Sequence, residues 1–344
     1  MSSQASKKIS IKRISIGVGL ALAIAALAFL LPYFLSGAAR AAIIRIPKGA
    51  GEKQVADTLT KYFGEDYAQR TFKVFNALES NPGLRYGAYE IPEGSAPVTA
   101  ARILARGSQT PVSITINGVR EFAPFADRIA AKFTFSGEDL RKAMQDPKIA
   151  VEYGLTPEQM PALFLNDTYY LFWTATPDDV IRKVGDNYKK FWNKERIQKA
   201  EALGLTPAEV MIIASITDEE SNQLSEKGRI GRLYINRLNK GMRLQSDPTV
   251  KFALKDFSIK RITGQHLNAP GPYNTYKVAG LPPGPIRTTS AATVDAILNS
   301  SPSEDLYMCA KEDFSGFHNF ASDFATHREN ARRYQQALDE RGIK

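Results

Sequence analysis

From Ile14 to Leu35 the chain carries no charged residue and is built mostly from Ala, Leu and Ile. A bilayer core needs about 20 consecutive apolar residues in a helix, so this run is long enough to span one. Lys7, Lys8, Lys12 and Arg13 precede it, denser than Arg40 and Arg45 after it. The positive-inside rule then puts residues 1–13 in the cytoplasm and makes 14–35 a single transmembrane helix of the inner membrane. A cleaved signal peptide is the competing reading, since Ala39-Arg40-Ala41 has the form of a small-x-small cleavage site. The run exceeds the roughly 7–15 apolar residues of a signal sequence, which favours the retained anchor. Under both readings everything after residue 40 is extracytoplasmic.

The length, 344 residues, suits two domains with appendages. The net charge of +9 comes partly from the basic residues before the apolar run, and the rest is scattered among acids. With no basic stripe interleaved with aromatics, a nucleic-acid partner is not expected. Cys309 is the single cysteine, so no intramolecular disulfide forms, and its apolar setting, Leu306 to Ala310, reads as a strand with a buried structural thiol. His266, His318 and His327 lack metal-ligand spacing, and there is no Gly-x-Ser-x-Gly elbow; no metal or other cofactor is implied. His327 reads as a packing residue on a late helix.

Two extracytoplasmic parts follow the anchor. In residues 43–108 the pattern predicts a strand at Ile43–Ile46, helices near Lys53–Tyr62 and Tyr67–Glu79, a strand at Tyr86–Ile91 and a helix at Val98–Ala105, a compact α+β module. It has no catalytic cluster, which suits binding or spacing. Residues 109–344 read as a larger mixed α+β domain. It has a strand at Val112–Ile116 and helices near Phe122–Lys132, Gly137–Gln145 and Pro177–Leu203. Leu163 to Trp173, aromatic and polar together, reads as a groove-lining extended segment or a half-buried strand.

The sharpest local signal is Thr206 to Ser221. Thr206 reads as an N-cap, Pro207 as the first helical residue and Glu209 as the partner in a capping box. At about 100° per residue, Glu220 shares a face with Ile213, Ile216 and Thr217, while Asp218 and Glu219 point elsewhere. A carboxyl on an apolar face near a helix C-terminus has its pKa pushed up from about 4.3, as a general acid requires. The bland role for Glu220 is an ion pair with a neighbouring Arg. A second helix is expected from about Arg229 to Asn239, ended by Gly241. Pro248 opens a short helix with Asp247 as its N-cap. Loops dense in Gly, Pro and Tyr follow at 269–276 and 280–286.

Ala214-Ser215-Ile216, Glu219-Glu220-Ser221, Ile235-Asn236-Arg237-Leu238, Gly241 to Val250, Tyr273-Asn274-Thr275-Tyr276, Gly280-Leu281-Pro282-Pro283-Gly284 and Gly316-Phe317-His318-Asn319-Phe320 occur in this order. Together they resemble the YceG-like endolytic murein transglycosylases (the MltG family), over nearly the whole chain. Two departures stand out: Asp218 where many members have Glu, and Leu165-Asn166-Asp167 where a proline is common. The resemblance implies a LysM-like module at 43–108 and a catalytic domain at 109–344. It implies peptidoglycan glycan strands as substrate and the wall-synthesis machinery as partner. The implied reaction is lytic cleavage of the MurNAc–GlcNAc β-1,4 bond, leaving 1,6-anhydro-MurNAc ends. Glu220 matches the family's catalytic glutamate and would act as general acid, then base. Gln245, Asp247, Asn274, Ser221 and His318 are candidates for holding the substrate. Two rivals stand beside this reading: a non-catalytic scaffold between wall and membrane, and a hydrolytic muramidase using Asp247 or Asp167 as its second carboxylate.

Overall fold

The computed structural model describes residues 2–78 and 86–342. The first helix, α1, is Ser2–Leu35. Its stretch Ile16–Leu35 is long and apolar enough to cross a membrane, the one such helix among the described residues. Large side chains along it, such as Leu20, Ile24 and Phe29, are exposed, as in a helix whose partner is lipid.

The chain divides into two compact units, Met1–Val112 with Phe172–Thr174, and Ser113–Leu171 with Ala175–Lys344. In the first, β1 (Ala42–Ile46) leads to α2 (Glu52–Phe63), α3 (Glu65–Leu78), β2 (Gly87–Ile91) and α4 (Pro97–Arg106). Residue Glu79, expected at the end of α3, lies outside the described residues. The two strands pair antiparallel, Ile44 opposite Tyr89 and Ile46 opposite Gly87. Strand periodicity does the rest: Ile44 and Ile46 are buried, while Ile43 before them and Arg45 between them are exposed. They close on Val55, Leu59, Phe75, Ile91 and Leu104. Each such side chain contributes about 1.5–3 kcal/mol when fully buried, a core sufficient for a small module.

Next in the chain come β3 (Pro111–Ile116), within which the second unit starts at Ser113, α5 (Phe122–Ala130), α6 (Gly137–Gln145), α7 (Pro147–Glu152), a 3-10 segment Pro157–Leu163 and β4 (Asp167–Phe172), which pairs with β3 and belongs to the second unit up to Leu171. The aromatic segment is thus a strand with alternating exposure: Tyr169 and Leu171 buried, Tyr170 and Phe172 exposed. Next come α8 (Pro177–Phe191) and α9 (Lys194–Ala202). A single helix was expected here. Asn193 breaks it, because its side chain accepts the Arg196 amide and starts a new N-terminus.

Helix α10 (Pro207–Glu220) is the centre of this unit, followed by α11 (Leu224–Asn239), α12 (Asp247–Leu254) and α13 (Ala291–Leu298). The capping box is present: Glu209 accepts from the Thr206 backbone amide at 2.8 Å and the Thr206 hydroxyl accepts from the Glu209 amide. Every residue from Val210 to Asp218 is buried. A helix apolar on all sides is enclosed by neighbours; α11, α12 and α13 supply them. Helices α11 and α13 approach closely because α11 carries Gly228 and Gly231. A Cβ there would lie 2.6 Å from the Ala296 carbonyl oxygen and 2.5 Å from Ile297 respectively. The last hairpin, β5 (Tyr307–Ala310) with β6 (His318–Ala321), and α14 (Phe324–Glu340) complete the unit.

Candidate active site

Helix α10 ends in Asp218-Glu219-Glu220, and the three carboxylates have three different environments. Asp218 was expected to point away from the buried face. It is instead buried, because α10 has no solvent side at that turn. Lys227 of α11 donates to its Oδ1 at 2.5 Å, Thr293 to Oδ1 at 2.7 Å and Thr289 to Oδ2 at 2.6 Å. Glu219 receives a bidentate pair from Arg120, at 2.7 and 2.8 Å, and a third bond from Arg287 at 3.0 Å.

Glu220 is held differently. The hydroxyls of Tyr234, from α11, and Ser246 donate to it at 2.6 and 2.7 Å. Both bonds end on Oε1, which leaves Oε2 to carry an acidic proton. No lysine or arginine among the described residues pairs with it within salt-bridge distance. Desolvation therefore dominates and raises its pKa; the two hydroxyls oppose this, the Asp247 charge adds to it, and His318 opposes it. Tyr234, buried against the same carboxyl, is pushed well above the usual tyrosine range and stays a donor.

Ser246 is placed by a chain of local constraints. Gly241, in left-handed conformation, ends α11. Gln245 is also left-handed, at φ 53°, an uncommon conformation for a residue with a side chain. Its backbone amide donates to Thr275 O, and the Ser246 amide donates to the Thr275 hydroxyl. Ser246, rather than the expected Asp247, is the N-cap residue of α12. Asp247 is the first helical residue, and its Oδ1 accepts from the Tyr276 hydroxyl at 2.6 Å. The extended backbone of Ser246 starts the helix one residue earlier than expected, and the Asp247 carboxylate is engaged by Tyr276 instead of a helix amide.

Glu220, Gln245, Asp247 and His318 line one cavity of about 400 Å³, with Tyr234, Arg237, Tyr276, Tyr307, Cys309 and His327. Four of the six residues singled out from the sequence thus converge. Asn274 does not join them: it is buried, its amide donates to Leu267 O and Ala269 O, and its oxygen accepts from the Tyr276 amide. It holds the loop that holds Ser246. Ser221 also stays outside the lining. Its hydroxyl accepts from the Gln223 amide and faces Glu226. Asp167 accepts the Thr168 amide on β4.

Other residues were not foreseen from the sequence. Tyr234 falls inside the expected second helix, where a tyrosine reads as packing. Ser246 sits beside the more conspicuous Asp247. Glu226 lies ahead of the expected start of the second helix near Arg229, but α11 begins at Leu224 and includes it. Cys309 is half-buried in the cavity wall rather than fully interior, and burial still pushes its thiol up. His327 packs, as expected, stacked on Tyr307 at 5.3 Å, yet it also lines the cavity.

The arrangement offers a carboxyl whose pKa is raised by desolvation and one of whose oxygens accepts two hydroxyls, facing a cavity lined by amide, carboxylate, imidazole and tyrosine groups. Such a set suits proton donation to a polar, hydroxyl-rich ligand.

Comparison with known proteins agrees in kind. The profile of the YceG-like family matches residues 44–333. An endolytic murein transglycosylase of Bacillus subtilis is 24% identical over 292 residues, covering 78% of each chain. An endolytic murein transglycosylase of Streptococcus pneumoniae is 23% identical over 296 residues, 78% of this chain and 54% of that one, so this chain spans about half its length. The crystal structure of a putative yceG-like protein from Listeria monocytogenes superposes with a TM-score of 0.55 at 24% identity, over 84% of this chain and 98% of that one, a likeness of fold.

Proposed function

The chain belongs to the YceG-like family, and from that premise we propose that it is a membrane-anchored lytic transglycosylase of peptidoglycan, with Glu220 as its acid and base. The observation that carries the proposal is the cation-free setting of Glu220, with both hydroxyl donors on one oxygen. In the ground state Glu220 is neutral. Its Oε2 proton goes to the glycosidic oxygen between MurNAc and GlcNAc as that bond breaks and positive charge develops at C1. The carboxylate left behind is stabilised by Tyr234 and Ser246, which donate to it without moving. It then takes the proton of the C6 hydroxyl of the same MurNAc, whose oxygen closes on C1. The product is a 1,6-anhydro end, and no water is consumed.

One carboxyl serves both steps because the nucleophile belongs to the substrate. Ordinary glycosidases need two carboxyl groups because water or the enzyme supplies the nucleophile. Gln245, Asp247 and His318 line the same cavity and are suited to holding hydroxyl or N-acetyl groups. In this reading Ile16–Leu35 anchors the protein in the inner membrane with its N-terminus cytoplasmic. Residues 43–108 form a LysM-like wall-binding module and residues 109–344 the catalytic domain. Action on nascent strands next to the synthesis machinery would follow from that anchorage.

A hydrolytic muramidase is the second reading, favoured by one observation: Asp247 is a second carboxylate on the same cavity. Digestion of purified peptidoglycan by the full-length protein in detergent, followed by mass spectrometry of the sugar ends, separates them. Ends lighter by one water are expected from the wild type and not from Glu220→Gln. Reducing ends would establish hydrolysis instead. Glycan that is bound and left uncut by the wild type would sink both enzymatic readings in favour of a scaffold.

A further inference from the structure

Glu226 has no part in the reaction as described, yet it is a buried carboxylate adjoining the cavity wall. Its Oε1 accepts the backbone amide of His318 at 2.8 Å, and its Oε2 meets the His318 ring Nδ1 at 2.9 Å. The Ser221 hydroxyl lies 3.5 Å from the same Oε2. No lysine or arginine among the described residues pairs with Glu226; its ionic partner is the imidazole. One carboxylate on α11 therefore grips the backbone and the side chain of a single residue on β6, and that residue lines the Glu220 cavity.

We propose that Glu226 is a positioning residue that locks His318 in one tautomer, so that Nε2 is presented to the cleft as a hydrogen-bond acceptor for an O–H or N–H donor of the saccharide. The ligand half rests on the reading of the cleft as a glycan site. The chemistry is direct. A carboxylate can only accept, so Nδ1 carries the hydrogen of the shared bond. In the neutral ring, Nε2 then holds the lone pair. Glycan hydroxyls and N-acetyl N–H groups are donors, and Glu220 in its neutral form is itself a donor on Oε2. An acceptor across the cavity complements both. A carboxylate fixing an imidazole tautomer is the logic by which an aspartate orients the histidine of a serine-protease triad.

Glu226→Gln tests this with almost no change of shape. With its carbonyl oxygen still accepting the His318 backbone amide, the Gln side chain places an NH2 where Oε2 was. That NH2 donates to Nδ1 and moves the ring hydrogen to Nε2, turning the acceptor into a donor. Nitrogen NMR of 15N-histidine-labelled full-length protein reads the tautomer, and with three histidines in the chain His318 is assigned from the spectrum of His318→Gln. The expected result is Nδ1–H in the wild type and Nε2–H in Glu226→Gln. Adding soluble GlcNAc–MurNAc oligosaccharide should shift Nε2 in the wild type alone. Anhydro-end formation by the variant should fall by roughly 10–100-fold, the usual scale for a group that orients a ligand-binding histidine. The loss should disappear when Glu226→Gln is made in a His318→Ala background, since a residue acting only through another is non-additive with it.

The same tautomer in both proteins, an Nε2 signal unmoved by saccharide, or additive losses in the double variant would each overturn the proposal. A wild type that cuts no glycan while the tautomer still inverts would sink the functional reading, leaving the hold of Glu226 on His318 standing. Retained cutting with no inversion would sink this inference alone.

Discussion

The two sides of the last turn of α10 treat identical chemistry oppositely. On one side, Asp218 and Glu219 meet Lys227, Arg120 and Arg287. On the other, the Glu220 carboxyl accepts from the hydroxyls of Tyr234 and Ser246 and from no cation among the described residues. Ion pairs and hydrogen bonds make the first two carboxylates parts of the scaffold. Hydroxyls satisfy a carboxyl without supplying a countercharge, so desolvation is left to raise its pKa. In the proposed mechanism burial alone therefore does not mark the acid; buried Asp218 is less accessible than Glu220 and committed to an ion pair.

The largest expected effect tests the Glu220 side. Glu220→Gln should lower the rate of glycan cleavage by roughly 10²–10⁴, the usual contribution of a positioned acid–base group, with the fold intact. Cleavage retained in that variant and lost in Asp218→Asn would reverse the assignment. Next, Asp218→Asn should destabilise the protein by about 3 kcal/mol, because it removes the buried carboxylate that pairs with the half-buried Lys227 ammonium. Chemical denaturation measures this.

Third, the raised pKa of Glu220 has a sign for stability. Its proton contributes stability that is fully present below the unfolded value of about 4.3 and is lost as pH rises through the folded one. Glu220→Gln should therefore be more stable than the wild type near pH 7–8, by roughly 0.5–2 kcal/mol. The gap should close as pH falls toward about 4. A gap independent of pH would remove the desolvation argument. Smallest, Ser246→Ala deletes one hydroxyl that lowers the Glu220 pKa. The alkaline limb of kcat/KM should move to higher pH, with a stability cost of about 0.5–1.5 kcal/mol for the lost hydrogen bond. An unmoved limb would mean that Ser246 only packs.

Local rules foretold much of the frame. Helix α6 begins and ends where expected, since Ser136 and Asp139 form a capping box readable in the sequence. The strand–helix–helix–strand–helix order of the small module follows its hydrophobic pattern. The break between α8 and α9 was missed because a capping Asn inside a good helical stretch is a weak signal. Helical periodicity set Glu220 apart from Asp218 and Glu219, though for an incomplete reason: α10 has no exposed face at Asp218, and the distinguishing features are partners far along the chain. Tyr234 and Ser246 lie 14 and 26 residues away from Glu220, and His318 and Glu226 are 92 apart.

By itself, the sequence determined the uncharged span at the front, the helix boundaries set by proline and capping residues, and the presence of three adjacent acids at one helix end. These depend on interactions within a few residues, where order along the chain is order in space. Only the tertiary structure decided which acid met cations and which met hydroxyls, that Asn274 would brace a loop while Asp247 faced the cavity, and that Glu226 would grip His318. Those outcomes depend on which side chains α11, α12 and the last hairpin bring to α10. Desolvation and countercharge act through space, over a few ångströms, whatever the separation in sequence.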